Sequence, residues 1–155
     1  MSMRYAAILA AIGIAMPASG QTARPWLDYT KAAAIRDACM TYAQNGKFDI
    51  AIAIFDDSGR LVTFARTDGA GEGVATLAQW KGKSAADYHR STEETAKWNP
   101  PGIPGIATMP GGVPIFTQDG KPLGGIGVSG VRAMGGDVAC AEAGLAAAGL
   151  KSTGG

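Results

Sequence analysis

An α+β fold, one domain in which helices flank an antiparallel sheet, is predicted by three observations. Two pairs of strand-type runs each close on a tight turn: 48–55 with 60–66 across Asp56-Asp57-Ser58-Gly59, and 113–117 with 123–129 across Asp119-Gly120. Runs of helical period stand before, between and after these pairs. The order is therefore helix, two strands, helices, two or more strands, helix, which places helices against an antiparallel sheet. A chain of 155 residues, 46% hydrophobic and 17% charged, has room for one domain with a real core.

The first segment stands apart from that domain. Arg4 precedes an apolar run, Tyr5–Met16, too short to span a bilayer, and Pro17-Ala18-Ser19-Gly20 offers the small residues a signal peptidase reads. Residues 1–20 are thus expected to be a cleaved secretory signal, with Gln21 first in the mature chain. The whole chain carries 14 Lys and Arg against 13 Asp and Glu, and cleavage removes Arg4 and no acid, leaving 13 of each. No basic stripe supports nucleic-acid binding, and no second apolar run is long enough for a membrane span. The product is expected to be secreted, and periplasmic in a Gram-negative host. Export permits a disulfide between Cys39 and Cys140, which would close a long loop; the alternative is two small buried thiols.

Residues 21–27 read as a leader, 28–150 as the domain and 151–155 as a tail. Asp28 or Thr30 can cap a helix to about Gln44, with Asn45-Gly46 as its stop and Ala32, Ile35, Cys39, Tyr42 and Ala43 on one face. In 48–55, Ile50, Ile52 and Ile54 alternate with alanines, the pattern of a strand covered by small residues on its second side. Val74–His89 resumes as a helix with Leu77, Ala78, Lys81 and Ala85 along one side. Ser91 or Thr92 can cap a short helix through Lys97. Asn99–Pro110, with four prolines and two glycines, must be an irregular, stiff loop. Asp119-Gly120 predicts a type I′ turn with positive φ at both residues. The glycines at 111, 112, 124, 125, 127 and 130 point to a bulge, or to backbone approaching a helix, a ligand or a neighbouring chain. Gly135–Leu150 is a helix of small residues, apolar nearly all round, expected to be covered by the sheet and by a helix or subunit.

Few motifs carry chemistry. Gly125–Gly130 matches GxGxxG formally, but it lies in a hairpin strand and not at the strand-to-helix turn a dinucleotide needs. No Walker A, HExxH, CxxC or CxxCH sequence occurs, and no nucleophile elbow surrounds a serine. His89 is the one histidine, so it could ligate haem iron alone but could not build a zinc site unaided. Met109 and Met134 are further iron-ligand candidates, with packing as the plainer role. Lys81 lies at the core-facing edge of its helix. It either snorkels outward or closes its ammonium over an acid or a ligand carboxylate, with Arg66 and Asp68 nearest in sequence.

Taken in order, AIAIFDDSGRLVTFARTDGA, the helix with Lys81, Ala85-Ala86, Tyr88 and Thr92, then PGGVPI, GGIGVSG and DVACAEAGLAA resemble the small haem-binding or haem-degrading proteins named after GlcG and HbpS. The resemblance runs from about Tyr29 to Leu150. It implies a profilin-like sandwich, higher homo-oligomers, and haem as a ligand for storage, sensing or degradation. Of the family's site residues it carries over Arg66, Lys81, Thr92 and the loop Pro110, Gly111, Gly112, Val113 and Pro114. The chain departs from the family in the longer NPPGIPGIATMP loop, in His89 where glycine is common, and in its two cysteines.

The leading expectation is an exported, self-associating protein that binds haem or a small ligand beside PGGVPI, with Lys81 and Arg66 as cations for carboxylates. A binding protein is favoured over a catalyst. An enzyme acting on a small organic substrate through a buried Lys81 is the second reading. A ligand-free assembly subunit, with the glycine strand and small-residue helix as interface, is the third.

Overall fold

The computed structural model describes residues 23–98 and 102–154; the expected signal, residues 1–20, and the start of the proline loop, 99–101, lie outside them. Eight elements follow in the expected order: α1 (Tyr29–Gly46), β1 (Ala51–Asp56), β2 (Leu61–Arg66), α2 (Glu72–Tyr88), α3 (Thr92–Lys97), β3 (Gly112–Phe116), β4 (Pro122–Ser129) and α4 (Gly136–Ala147). The strands form one antiparallel sheet in the order β2-β1-β4-β3. Among the described residues no helix is long and apolar enough to cross a membrane.

The two sides of β1 explain the layering. Ile50, Ile52 and Ile54 point into the larger core with Ile126 and Val128 of β4, Val113 and Ile115 of β3, and the inner faces of α1 and α4. Burial of each isoleucine contributes about 1.5–3 kcal/mol. Ala51, Ala53 and Phe55 face the other way, onto Ala75, Ala78 and Ala86 of α2. Both faces of β1 are therefore buried, as the alternation of isoleucine with alanine predicts.

Glycine lets α2 lie directly on the middle of the sheet. A Cβ on Gly127 would overlap the Ala78 carbonyl oxygen and the Gly82 amide, and one on Gly125 would stand 2.7 Å from the Gly82 carbonyl oxygen. Gly82 answers from the helix side: its Cβ would lie 2.8 Å from both Ala53 O and Gly127 N. The close approach anticipated for the glycine strand is thus made by a helix of the same chain. It does not need a ligand or a neighbouring subunit.

On the opposite face a disulfide joins Cys39 of α1 to Cys140 of α4, with their Cα atoms 4.8 Å apart. Gly144 permits the contact between these helices, since a Cβ there would stand 2.6 Å from Ile35 O. The small-residue helix is covered by the sheet and α1, while Glu142, Ala146 and Ala147 remain exposed.

Capping follows the sequence with two adjustments. Asp28 caps α1 by accepting from Lys31 N at 2.7 Å, but the left-handed residue ending the helix is Lys47, not Gly46. Ser91 caps α3 in a reciprocal box with Glu94. The β3–β4 turn departs from the expected type I′: Gly120 alone is left-handed (φ 83°), while Asp119 keeps negative φ. Thr117 and Lys121 close a three-residue connection through Thr117 N donating to Lys121 O at 2.9 Å, one of the other turn lengths that suit a hairpin. Leu27, assigned to the leader, is buried in the core, and Lys151 of the tail exchanges two backbone hydrogen bonds with Phe116.

Candidate functional site

The helix α2 runs from one end of the sheet to the other, about 25 Å at 1.5 Å per residue. Its polar residues accordingly serve two separate ends. At the first end are the start of β3, the last residues of β4 and the first turn of α4. Lys81 reaches this end from the middle of α2 and is 2% exposed. Its ammonium donates to Val128 O at 3.1 Å and to Asp137 Oδ2 at 3.0 Å. The other carboxylate oxygen of Asp137 accepts from Val131 N at 2.8 Å. Gly111, with φ 118°, leaves the room this requires, since a Cβ there would lie 2.9 Å from Lys81 Nζ and 2.5 Å from Val128 O.

Lys81 therefore closes over an acid, one of the two arrangements anticipated for it. The acid is Asp137, 56 residues away, and neither Arg66 nor Asp68 joins the pair. Arg66 is exposed at the end of β2, where its guanidinium donates to Ala70 O at 2.8 Å. Burial, the condition set for a catalytic lysine, is met. The ammonium is nonetheless engaged with protein acceptors, and its geometry is that of a clamp tying α2 to α4 and to the end of β4.

The loop beside this clamp is held by hydroxyls. Thr92, fully buried, donates to Met109 O at 2.6 Å and accepts from Gly112 N at 2.9 Å. Ser84 accepts from Ala107 N at 2.8 Å, and Thr95 donates to Ala107 O. These bonds satisfy backbone groups that an irregular buried segment would otherwise leave unpaired. Thr92 thus faces the loop and can act on a ligand only through it. Of the five loop residues carried over, Pro110 is exposed while Gly111, Gly112, Val113 and Pro114 are buried, with the Val113 side chain in the larger core. Met109 is exposed, and so is Met134 on the loop before α4.

Asp137 was not singled out from sequence as a partner. The available signal was its place in the first turn of an otherwise small and apolar helix, following a buried strand. A buried cation requires a counter-charge, but local periodicity does not say which acid the fold delivers.

His89 belongs to the second end, eight residues and about 12 Å along the helix from Lys81. It caps α2 in the left-handed region (φ 50°). Its Nε2 stands 3.3 Å from Asp57 Oδ1, and its ring meets Phe116 edge-on with centroids 6.3 Å apart. Asp57 Oδ2 pairs with the Arg24 guanidinium. Beside this cluster a cleft of about 360 Å³ is lined by Ala23, Arg24, Pro25, Lys121 and Pro122. Pro122 is the register partner of Phe116. The structure therefore does not bring His89 together with Lys81, Arg66 or the 110–114 loop. Among the described residues no group of three His, Cys, Asp or Glu side chains could hold a metal ion by itself.

This architecture is shared with known proteins. The family model described as haem degrading protein HbpS-like matches residues 27–146. Protein GlcG of Escherichia coli K12 is 33% identical over 109 residues, which cover 66% of this chain and 81% of GlcG. A double mutant of HbpS from Streptomyces reticuli superposes with a TM-score of 0.75 at 30% identity, covering 88% of this chain and 97% of that one. The PduOC:heme complex superposes with the same TM-score, 0.75, at 22% identity, over 83% of this chain and 99% of that one, a likeness of fold alone. The length of the family match, the order of the elements and the identity to GlcG lead to one conclusion: this chain belongs to the HbpS-like family.

Proposed function

We propose that the protein is an exported haem-binding protein. The observation that carries the reading is the match of residues 27–146 to a family described by haem degradation. The residues present fit such a ligand. Haem takes an axial donor from His, Cys, Met or Tyr and cations for its propionates. Both cysteines are consumed in the disulfide, which leaves, among the described residues, His89, the methionines Met40, Met109 and Met134, and the tyrosines Tyr29, Tyr42 and Tyr88 as partly or fully exposed donors. Accessible cations stand at both ends of the sheet, Arg66 and Arg132 at one, Arg24 and Lys121 at the other. Bound haem would supply the redox and oxygen chemistry. The chain's own part is to orient the ring and shelter its faces, and the role of Lys81 is to tie α2 to α4 and to the end of β4 beside the 110–114 loop. The Cys39–Cys140 bond supports export, because such bonds persist in oxidising compartments. Exposed Leu61 and Phe64 on the edge strand β2 support self-association as part of the same reading.

The test is a hemin titration of oxidised, purified 21–155, followed in the visible spectrum. A saturable Soret shift at fixed stoichiometry is expected. A response no larger than that of an unrelated control protein overturns the haem reading.

A further inference from the structure

We propose that a cleft between α2 and the proline-rich loop binds a planar aromatic carboxylate, which lays its ring on Trp80 and Phe55 and its acid group beside Lys83. This site is independent of the haem reading. The cleft holds about 370 Å³ and is lined by Phe55, Thr76, Gln79, Trp80, Lys83 and Gly105. Its volume falls among those of small-molecule sites, about 300–1,000 Å³. Thr76, Gln79, Trp80 and Lys83 stand at i, i+3, i+4 and i+7, so they form one stripe along α2.

Trp80 is the residue of this stripe that packing does not account for. It is half-buried, belongs to neither hydrophobic core and meets no aromatic ring among the described residues. An indole on an otherwise polar stripe offers its flat face to whatever enters the cleft. Phe55 supplies the floor. It is buried, and its ring packs so near α2 that a Cβ on Gly82 would lie 3.1 Å from it. β1 shifts register against β2 just before Phe55, a local irregularity of the kind that re-aims a side chain.

The facing wall is held in place. Two side chains of α2 tie the loop down: the Tyr88 hydroxyl donates to Pro104 O at 2.6 Å, and Ser84 accepts from Ala107 N at 2.8 Å. Between these ties Gly105 takes positive φ (75°), and a Cβ there would meet nothing within 4 Å, so its backbone borders open space. The polar end is Lys83. Its ammonium donates to both oxygens of Asp87, at 3.1 and 2.8 Å, with the two side chains 50% and 32% exposed. An exposed pair one helical turn apart is weak, and an ammonium carries three donors, so Lys83 can take a second carboxylate beside Asp87. Because Asp87 shares that cation, a ligand with one negative charge is favoured over one with several. Thr76 and Gln79, both exposed, add a hydroxyl and an amide along the same edge. Two aromatic surfaces with one cation at the rim suit a flat monoanion, and nothing in the lining would hold a metal.

The test uses cinnamate as the aromatic carboxylate and cinnamamide as its uncharged counterpart. Oxidised, purified 21–155 is titrated with each by calorimetry, and the tryptophan indole signals are followed by nuclear magnetic resonance. The expected result is saturable cinnamate binding at one site per chain, with the Trp80 indole signal moving. Trp80→Leu is expected to weaken binding about tenfold, the upper size of an aromatic pair, and Trp80→Phe to keep most of it. Lys83→Gln is expected to lower cinnamate affinity by about fivefold, the size of an exposed ion pair, and to leave cinnamamide unchanged. Neither position belongs to a core, and circular dichroism checks that each variant is folded. No saturable binding by wild type, binding that leaves the Trp80 signal unmoved, or equal affinity in wild type and Trp80→Leu overturns the site. If Trp80→Leu instead breaks up an oligomer of a wild type that takes no cinnamate, the cleft is a contact between copies, and the ligand site is refuted.

Discussion

Removing Asp137 and removing Lys81 should have unequal consequences, because the two partners of one ion pair differ in access to water. The Lys81 side chain is 2% exposed and that of Asp137 is 19% exposed. In Asp137→Ala the ammonium keeps only the Val128 carbonyl as a charge-stabilising partner and cannot be hydrated without opening the contact between α2 and α4. Val131 N–H loses its acceptor in the same step. Deleting one partner of a buried pair costs about 3–5 kcal/mol, and Asp137→Ala belongs in that range. Lys81→Met keeps the aliphatic stem and leaves Asp137 with its bond to Val131 and some contact with solvent. Its cost should be smaller, about 1.5–3 kcal/mol, the scale of a lost charge-assisted hydrogen bond. The double variant, with no orphaned charge, should recover part of the Asp137→Ala loss. Urea unfolding of the oxidised protein measures all three, read as midpoint shifts at constant m-value. If Asp137→Ala costs no more than Lys81→Met, or less than about 1 kcal/mol, the clamp described above is wrong.

Two further predictions concern the frame around the site. Replacing Cys39 and Cys140 together by alanine opens a cross-link spanning 101 residues, and loop-closure entropy sets the loss near 4–5 kcal/mol. Calorimetry should then show Tm falling by on the order of 10–20 °C, and a shift of only a degree or two would mean that the bond hardly constrains the unfolded chain. Gly127→Ala adds a methyl where Ala78 O and the Gly82 amide already touch the strand, so the loss should reach or exceed the upper end of the ~1–3 kcal/mol typical of overpacking. Gly73→Ala, which meets nothing within 4 Å, is the matched control; equal stability of the two variants would refute the account of how α2 sits on the sheet.

What the sequence determined by itself was the set of elements and their faces. Alternating isoleucine and alanine in β1, the turn residues 56–59 and the helical spacing of Ile35, Cys39 and Ala43 are local patterns, and each appeared with the expected burial. Cys39 was legible as inward-facing for the same reason, although only the packing of α1 on α4 brought it to Cys140. The ordered motifs likewise sufficed to indicate the family. The tertiary structure alone decided the rest. It chose Asp137 over Arg66 and Asp68 as the neighbour of Lys81, and turned Gly125 and Gly127 of β4 toward α2. It also directed Thr92 into the loop and placed His89 at the far end of α2 from the residues first grouped with it. The physical reason is common to these cases. Periods of 2 and 3.6 residues specify which way a side chain points from its own element. The partner it meets depends on strand register and helix placement, which bring together groups dozens of residues apart.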